Sequence, residues 1–317
     1  TMGQVALPEL KRFNYSGALA TGSLAAGGTL GILIPPSVVL IIYAVMVEAN
    51  VATLFQAAFI PGILAALGYI AVIAIIVRIN PKAGPAGERA TRAQKWTALL
   101  EIWPVLVIFI LVMGGIYFGI FTPTEGAGIG AFGTFLIAIT RGGMRLKGFN
   151  EALLGTAQTT AMIFLILLGA AIFNAFLGFS QLPISAAEFF GNSGLSPHTI
   201  LFGMIVLFIV LGFVMDSLSM IFLTIPIFWP IIAGLDFGMS PDEAKLWFGI
   251  IALIVVEMGL ITPPVGLNVF IINSMAKDVP MIETFKGVIP FFASDIIRVA
   301  VLIAFPTITL LVPRLLA

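Results

Sequence analysis

Gly31-Ile-Leu-Ile-Pro35-Pro36-Ser37 and Gly259-Leu-Ile-Thr262-Pro263-Pro264-Val265 are near copies of one another, and Gly266 and Asn268 follow the second. Each stretch comes after an apolar run and leads into another. A glycine with a proline pair breaks a helix, because proline has no amide to donate. In lipid an unpaired peptide group costs several kcal/mol, so such a break persists only where protein, water or an ion satisfies it. One such motif alone reads as a proline kink. Two matched breaks point to a secondary transporter with its binding site at a repeat interface.

Composition agrees with a membrane setting. The chain is 60% hydrophobic and 9% charged, and its mean hydropathy is +1.15. A soluble surface needs far more charge. Cysteine is absent and His198 is the one histidine, so disulfides, thiolate metal sites and a histidine-based catalytic set are excluded. No basic face suits nucleic acid, and no phosphate-binding loop suggests ATP use. The expected fold is an all-α polytopic membrane protein built from inverted repeats, with re-entrant helical hairpins and broken helices. No enzyme chemistry is expected.

The apolar pattern predicts crossings at Ser16–Leu33 with Val38–Val47, Phe55–Val77, Ala98–Phe118, Thr122–Ile139, Thr156–Phe179, Pro241–Ile261 with Leu267–Ala276, and Gly287–Val312. Thr1–Leu10 reads as the end of a helix, and Leu182–Asn192 as interfacial. Pro197–Val214 and Leu218–Ile232 are separated only by Met215-Asp216-Ser217. That spacing predicts a re-entrant hairpin with a polar tip, and two full antiparallel spans are the alternative. Thr122-Pro123-Thr124-Glu125 and Ser240-Pro241-Asp242-Glu243 are capping boxes.

Basic residues then fix sidedness. Lys11/Arg12, the Arg78–Lys95 loop, Arg141–Lys147 and Lys277 with Lys286 should face the cytoplasm. Loops at Glu48/Asn50, Phe121–Glu125, Gln181–Ser196 and Leu235–Glu243 should face outward. Alternation holds only if the two Pro-Pro segments cross in opposite directions, as an inverted repeat. Residues 1–95 then form the C-terminal part of the first repeat plus a cytoplasmic linker, and residues 96–317 the second repeat. The second motif is preceded by roughly 160 residues and the first by roughly 30, so a matching repeat would place about 100–130 further residues ahead of Thr1.

Oxygen ligands without fixed charge suit Na+. The carbonyls around Gly31–Pro35 and Gly259–Pro263 are candidates, with hydroxyls from Ser37 and Thr262. Asp216, with Ser217 and Ser219 beside it, either shapes the site or caps the second half-helix. Glu257 either touches the ion pathway or pairs with a neighbouring helix; carboxylates at such depth are functional candidates by default. Asn268 either bonds substrate or pins the unwound backbone. Half-helix N-termini after the breaks suit a carboxylate. Arg298 reads best as snorkelling or paired with Asp295, and His198 as structural. Trp96, Trp103, Trp229 and Trp247 fit interfacial anchoring.

GILIPPS at Gly31–Ser37, FTPTEG at Phe121–Gly126, Met215-Asp216 with its following half-helix, and GLITPPVGLN at Gly259–Asn268 resemble the large membrane subunit of tripartite ATP-independent periplasmic (TRAP) transporters. The order and spacing hold from Thr1 to Ala317, over about the last three quarters of that subunit. The resemblance implies elevator-like, Na+-coupled import of organic acids such as C4-dicarboxylates or sialic acid across the bacterial inner membrane. It implies a periplasmic substrate-binding protein and a small four-helix membrane subunit as partners. Carried over by position, a first Na+ site would use Gly31, Pro35 and Ser37, and a second Ser217, Gly259, Thr262 and Pro263. Asn268, Ser37 and Asp216 would meet substrate. A stand-alone Na+-carboxylate carrier, and an ion channel or structural subunit, are the rival readings.

Overall fold

A computed structural model describes residues 2–87 and 91–316. Expectations that touch Thr1, Glu88, Arg89 and Ala317 fall outside these residues. The described residues form helices and no strand. In chain order they are α1 (Met2–Arg12), α2 (Gly17–Leu33), α3 (Val38–Met46), α4 (Val51–Ile79), α5 (Arg92–Tyr117), α6 (Pro123–Thr140) and α7 (Leu146–Ser180). There follow α8 (Leu182–Gly191), α9 (Pro197–Gly212), α10 (Ser217–Ala233), α11 (Pro241–Leu260), α12 (Leu267–Met275), α13 (Met281–Ala304) and α14 (Thr307–Leu316). Among the described residues α4, α5, α7 and α13 are each long and apolar enough to cross a membrane, and α2 with α3 forms a further span bent by 46°. The protein is thus an all-α polytopic membrane protein.

The chain divides into two compact units, Thr1–Gly87 with Ile172–Ala317, and Glu88–Ala171. The second is an α5/α6 pair with the start of α7. Its helices approach where glycines face bulky chains: a Cβ on Gly133 would lie 3.0 Å from Ile108, and one on Gly126 2.9 Å from Ile116. The Arg141 guanidinium sits 5.3 Å from the Trp103 ring centre, holding the end of α6 on α5. α6 opens with the expected capping box, Glu125 N–H donating to Thr122 Oγ1 and Thr122 N–H to Glu125 Oε2.

The first unit holds both breaks. Its closest contact joins α2 to α13, where a Cβ on Gly22 would come 2.4 Å from the Gly287 carbonyl carbon and one on Gly287 2.0 Å from the Ala18 oxygen. Only backbone fits there. Thr21 Oγ1 donates to Thr284 Oγ1 at 3.0 Å beside it, and Asn273 Nδ2 donates to the same Thr284 oxygen at 3.1 Å.

Contacts between loops agree with the charge-based sidedness. Lys11 pairs with Asp278, and Ser16 N–H donates to the Ala83 carbonyl at 2.8 Å; all four lie in loops or helix ends read as cytoplasmic. Lys245 Nζ reaches the Glu48 carbonyl at 3.3 Å, joining two ends read as outward.

Three expectations need correction. The last crossing is not one helix over Gly287–Val312, because α13 starts at Met281 and the chain breaks at Phe305–Pro306 before α14. Pro306 has no amide for the Leu302 carbonyl, and the Trp247 indole N–H bonds that carbonyl instead at 3.0 Å. Trp247 is therefore fully buried rather than an interfacial anchor. Finally, α7 starts at Leu146, ten residues before the expected Thr156; Lys147 and Glu151 are tolerated because both are exposed, and they pair loosely at 4.0 Å.

Candidate functional site at the paired helix breaks

Proline makes each break, and the chain restarts differently after each: a capping serine opens α3, a left-handed glycine opens α12. α2 ends at Leu33, and the Pro35–Pro36 and Pro263–Pro264 peptide bonds are both cis. Pro35 leaves the Gly31 carbonyl without its helical amide partner. Buried Ser37 restarts the chain by capping α3, its Oγ accepting from Leu40 N–H. At the second break Gly266 adopts φ +62, a left-handed conformation that glycine takes without strain, and α12 starts behind it.

The two broken segments lie against each other in opposite order. Tyr43 of α3 meets α11, with its hydroxyl donating to the Lys245 carbonyl at 2.8 Å, and a Cβ on Gly249 would strike its ring at 2.2 Å. Gly28 of α2 faces Asn268 of α12, where a Cβ on Gly28 would lie 3.9 Å from Nδ2. Gly17 faces Val279. As the first segment is read backwards from Tyr43, its partners run forwards from Gly249 to Asn268 to Val279. Antiparallel order puts the Gly31–Ser37 stretch abreast of Gly259–Gly266.

The α9–α10 turn closes on the same level. α9 and α10 have 16 and 17 residues, or about 24–26 Å each, less than a hydrocarbon core of about 30 Å. Phe208 and Phe228 pack edge to face across the pair, their ring centres 4.9 Å apart. At the tip Ser217 Oγ donates to Glu257 Oε1 at 2.5 Å, and both side chains are buried. Just before the tip, Gly212 meets Gly259 backbone to backbone: a Cβ on either would lie 2.7 Å from the other's Cα. Both arms of the turn thus touch the last turn of α11.

These contacts sort the expected site residues. Ser217, Gly259 and Thr262 come from elements in direct contact. Gly259 is first a packing glycine, and its carbonyl already accepts from Thr262 N–H at 3.1 Å. Thr262 Oγ1 donates to the Met258 carbonyl at 2.5 Å, which leaves its lone pairs able to meet a cation. Pro263 is exposed, whereas Pro35 is buried. Asp216 has the capping role: Oδ1 accepts from Leu218 and Ser219 N–H at 3.0 and 3.1 Å, and Oδ2 from Ser219 Oγ at 2.5 Å. Asn268 lines a cavity of about 260 Å³ whose other walls, including Leu24, Ala25, Ile272 and Met275, are apolar.

Glu257 resolves toward a neighbouring-helix bond, yet among the described residues Oε2 has no partner. Arg298 does not snorkel: it is 9% exposed and its Nη2 lies 2.9 Å from Asp295 Oδ1. Tyr69 donates to Asp295 Oδ2 at 2.7 Å. Nothing in the residue pattern points to the Tyr69 and Thr29 contribution to this cluster, because neither residue carries charge. No group of three or more His, Cys, Asp or Glu side chains forms a metal cluster among the described residues.

A paired break closed by a short helical hairpin is the architecture expected of one transporter family, and the sequence comparison agrees. The pattern describing the tripartite ATP-independent periplasmic transporter, DctM component, matches residues 1–308. The chain belongs to this family. It is 33% identical over 316 residues to the C4-dicarboxylate TRAP transporter large permease protein DctM of Pseudomonas aeruginosa, covering 99% of this chain and 71% of that protein. It is 31% identical to the sialic acid TRAP transporter large permease protein SiaM of Vibrio cholerae, covering 99% and 72%. It is 30% identical over 296 residues to the isethionate TRAP transporter permease protein DctMQ of Oleidesulfovibrio alaskensis, covering 92% and 45%. This TRAP permease is a multi-pass protein of the inner membrane. Membership of a tripartite family implies partner subunits.

Proposed function

We propose that this chain is the transport subunit of a Na+-coupled importer of organic acids, fed by a periplasmic binding protein and braced by a small four-helix membrane subunit. The observation that carries the reading is the antiparallel pair of broken helices, with both breaks abreast and the α9–α10 tip closed on the second. The relatives are named for C4-dicarboxylates, sialic acid and isethionate. All three are small organic anions, and carboxylates are the class expected here. Half-helix N-termini at α3 and α12 would favour such an anion.

Na+ is a cargo here rather than a resident cofactor. The Gly31 carbonyl, the turn at Pro35 and the Ser37 hydroxyl would serve a first Na+. Ser217, Thr262 and the carbonyls from Gly259 to Pro263 would serve a second. Asn268 would offer substrate its amide, while Ser37 and Asp216, busy as caps, would act on substrate mainly by fixing the α3 and α10 N-termini. Glu257 would hold Ser217 in place at the second ion.

The test is uptake of labelled organic acids into proteoliposomes. These would carry the full-length protein and its small subunit, with and without an inward Na+ gradient and with and without binding protein. Uptake that needs both supports the reading. Uptake that needs Na+ alone identifies a stand-alone carrier. Flux down a gradient with no accumulation identifies a channel.

A further inference from the structure

A buried hydroxyl hub joins three helices one turn before the first break. Thr29 lies two residues ahead of Gly31 on α2. Its Oγ1 sits 2.7 Å from the Ala26 carbonyl and 3.2 Å from the hydroxyl of Tyr69 on α4. That hydroxyl is in turn 2.7 Å from Asp295 Oδ2 on α13, and Asp295 is paired with Arg298. Thr29, Tyr69 and Asp295 are 3%, 4% and 2% exposed, so water does not compete for these bonds. The Tyr69 ring is wedged against Phe291 of α13, edge to face with centres 5.2 Å apart.

Counting protons shows what this hub can do. The three oxygen–oxygen contacts involve two hydroxyl protons, one on Thr29 and one on Tyr69. An ionised carboxylate is the strongest acceptor present, so the Tyr69 proton goes to Asp295. The Arg298 pair keeps Asp295 in that role. Tyr69 is then an acceptor toward α2, and the single Thr29 proton has two destinations. Given to Ala26 O, it is a back-bond to its own helix, which bends a helix locally. Given to Tyr69, it releases that bend and ties the last turn of α2 to α4 and α13.

We propose that Tyr69 is a positioning residue for the first break. By accepting the Thr29 proton, it sets the pitch of the α2 turn that ends in Gly31–Leu33, and so the direction of the Gly31 carbonyl. Its consequence for ion binding rests on the Na+-coupled reading given above. Tyr69 touches neither ion nor substrate. It acts through Thr29, and Asp295 and Arg298 act through Tyr69.

The experiment compares wild type, Tyr69→Phe, Thr29→Val and Thr29→Ser in the complete transporter purified with its partner subunit. The first readout is hydrogen exchange of the Gly31–Leu33 amides, with Gly259–Ile261 as the internal control. The second is thermal stabilisation by NaCl over choline chloride at constant ionic strength. Tyr69→Phe and Thr29→Val should speed exchange at Gly31–Leu33 and leave the control segment unchanged. They should also weaken the Na+ half-saturation by about two- to tenfold, the span of one hydrogen bond. Thr29→Ser keeps the hydroxyl and should behave as wild type. Unchanged exchange at Gly31–Leu33 in both Tyr69→Phe and Thr29→Val overturns the proposal, as does equal acceleration at both breaks, which marks a general loss of packing. If wild type shows no Na+-specific stabilisation, the coupling reading fails; the positioning role is then decided by exchange alone.

Discussion

Ser217 and Glu257, 40 residues apart in the chain, share a buried hydrogen bond of 2.5 Å that closes the α9–α10 tip onto the last turn of α11. Among the described residues the second Glu257 oxygen has no hydrogen-bond partner. Removing the hydroxyl leaves a buried carboxyl without any bond from protein. Ser217→Ala should therefore lower stability by about 1–3 kcal/mol, while Ser217→Thr keeps a donor. Thermal unfolding in detergent measures the difference, and equal unfolding temperatures for wild type and Ser217→Ala would contradict the role given to this bond.

Gly31 and Gly259 occupy matching places in the two motifs but differ in what surrounds them. A Cβ on Gly31 meets nothing within 4 Å, whereas one on Gly259 would come 2.7 Å from the Gly212 Cα. Gly31→Ala should leave expression and unfolding temperature near wild type, so any change in Na+ activation would report on the site itself. Gly259→Ala should force α9 from α11 and destabilise by about 1–3 kcal/mol through backbone overpacking. Folding yield and unfolding temperature of the two variants, side by side, check the contrast.

Thr262→Ala removes a hydroxyl whose one hydrogen bond is to the carbonyl of its own preceding turn. Little stability should be lost. Under the Na+ reading, half-activation by Na+ should rise while maximal uptake is largely kept. Uptake titrated with Na+ tests this, and an unchanged titration would remove Thr262 from the second ion site.

Trp247→Phe deletes the donor to the Leu302 carbonyl, which Pro306 cannot satisfy, and removes part of a fully buried ring system. The unpaired carbonyl alone should cost about 1–3 kcal/mol, with a cavity contribution added to it. Replacing Pro306 with Ala as well offers that carbonyl a backbone amide and should recover part of the loss. A double-mutant cycle on unfolding temperature reads the coupling.

Asp278 gives a pH signature. Its bond to the Lys11 side chain is the main cause holding its carboxyl below the usual carboxylate range. A depressed value means that the stabilisation is complete above the ordinary carboxylate pKa of about 3.9 and is lost as pH falls through the depressed value. The unfolding-temperature gap between wild type and Asp278→Asn should hold steady from about pH 5 to 7 and close below about pH 4. A gap that widens with acid would reverse the assignment.

The helices and both breaks were legible because their signals are local. Proline pairs, capping boxes and apolar length placed α2, α3, α9, α10, α11 and α12 within a few residues of their observed ends. The sidedness read from Lys and Arg rests on charge alone; the contacts of Lys11 with Asp278 and of Lys245 with the Glu48 carbonyl join ends assigned to the same side. The break before α14 was not legible. Pro306 sits inside an apolar run, and the group that makes the break tolerable, Trp247, lies 55 residues upstream of the Leu302 carbonyl it bonds. The site was half legible. Thr262 and Ser217 stand out as polar residues at breaks, but the division of labour between Gly31 and Gly259 depends on what each faces. The Thr29–Tyr69 contact joins uncharged residues 40 positions apart, and no periodicity marks such a pair.

The contact between Gly22 and Gly287 has a mechanical meaning. With bare backbone against backbone at this point, and Thr21, Thr284 and Asn273 bonded alongside, α2 and α13 cannot slide past one another without breaking the contact. Under the elevator reading, a stroke that carries the first break through the bilayer would carry α13 with it as freight, and a cross-link that anchors α13 to a stationary part of the transporter should stall the cycle as surely as one placed on α2.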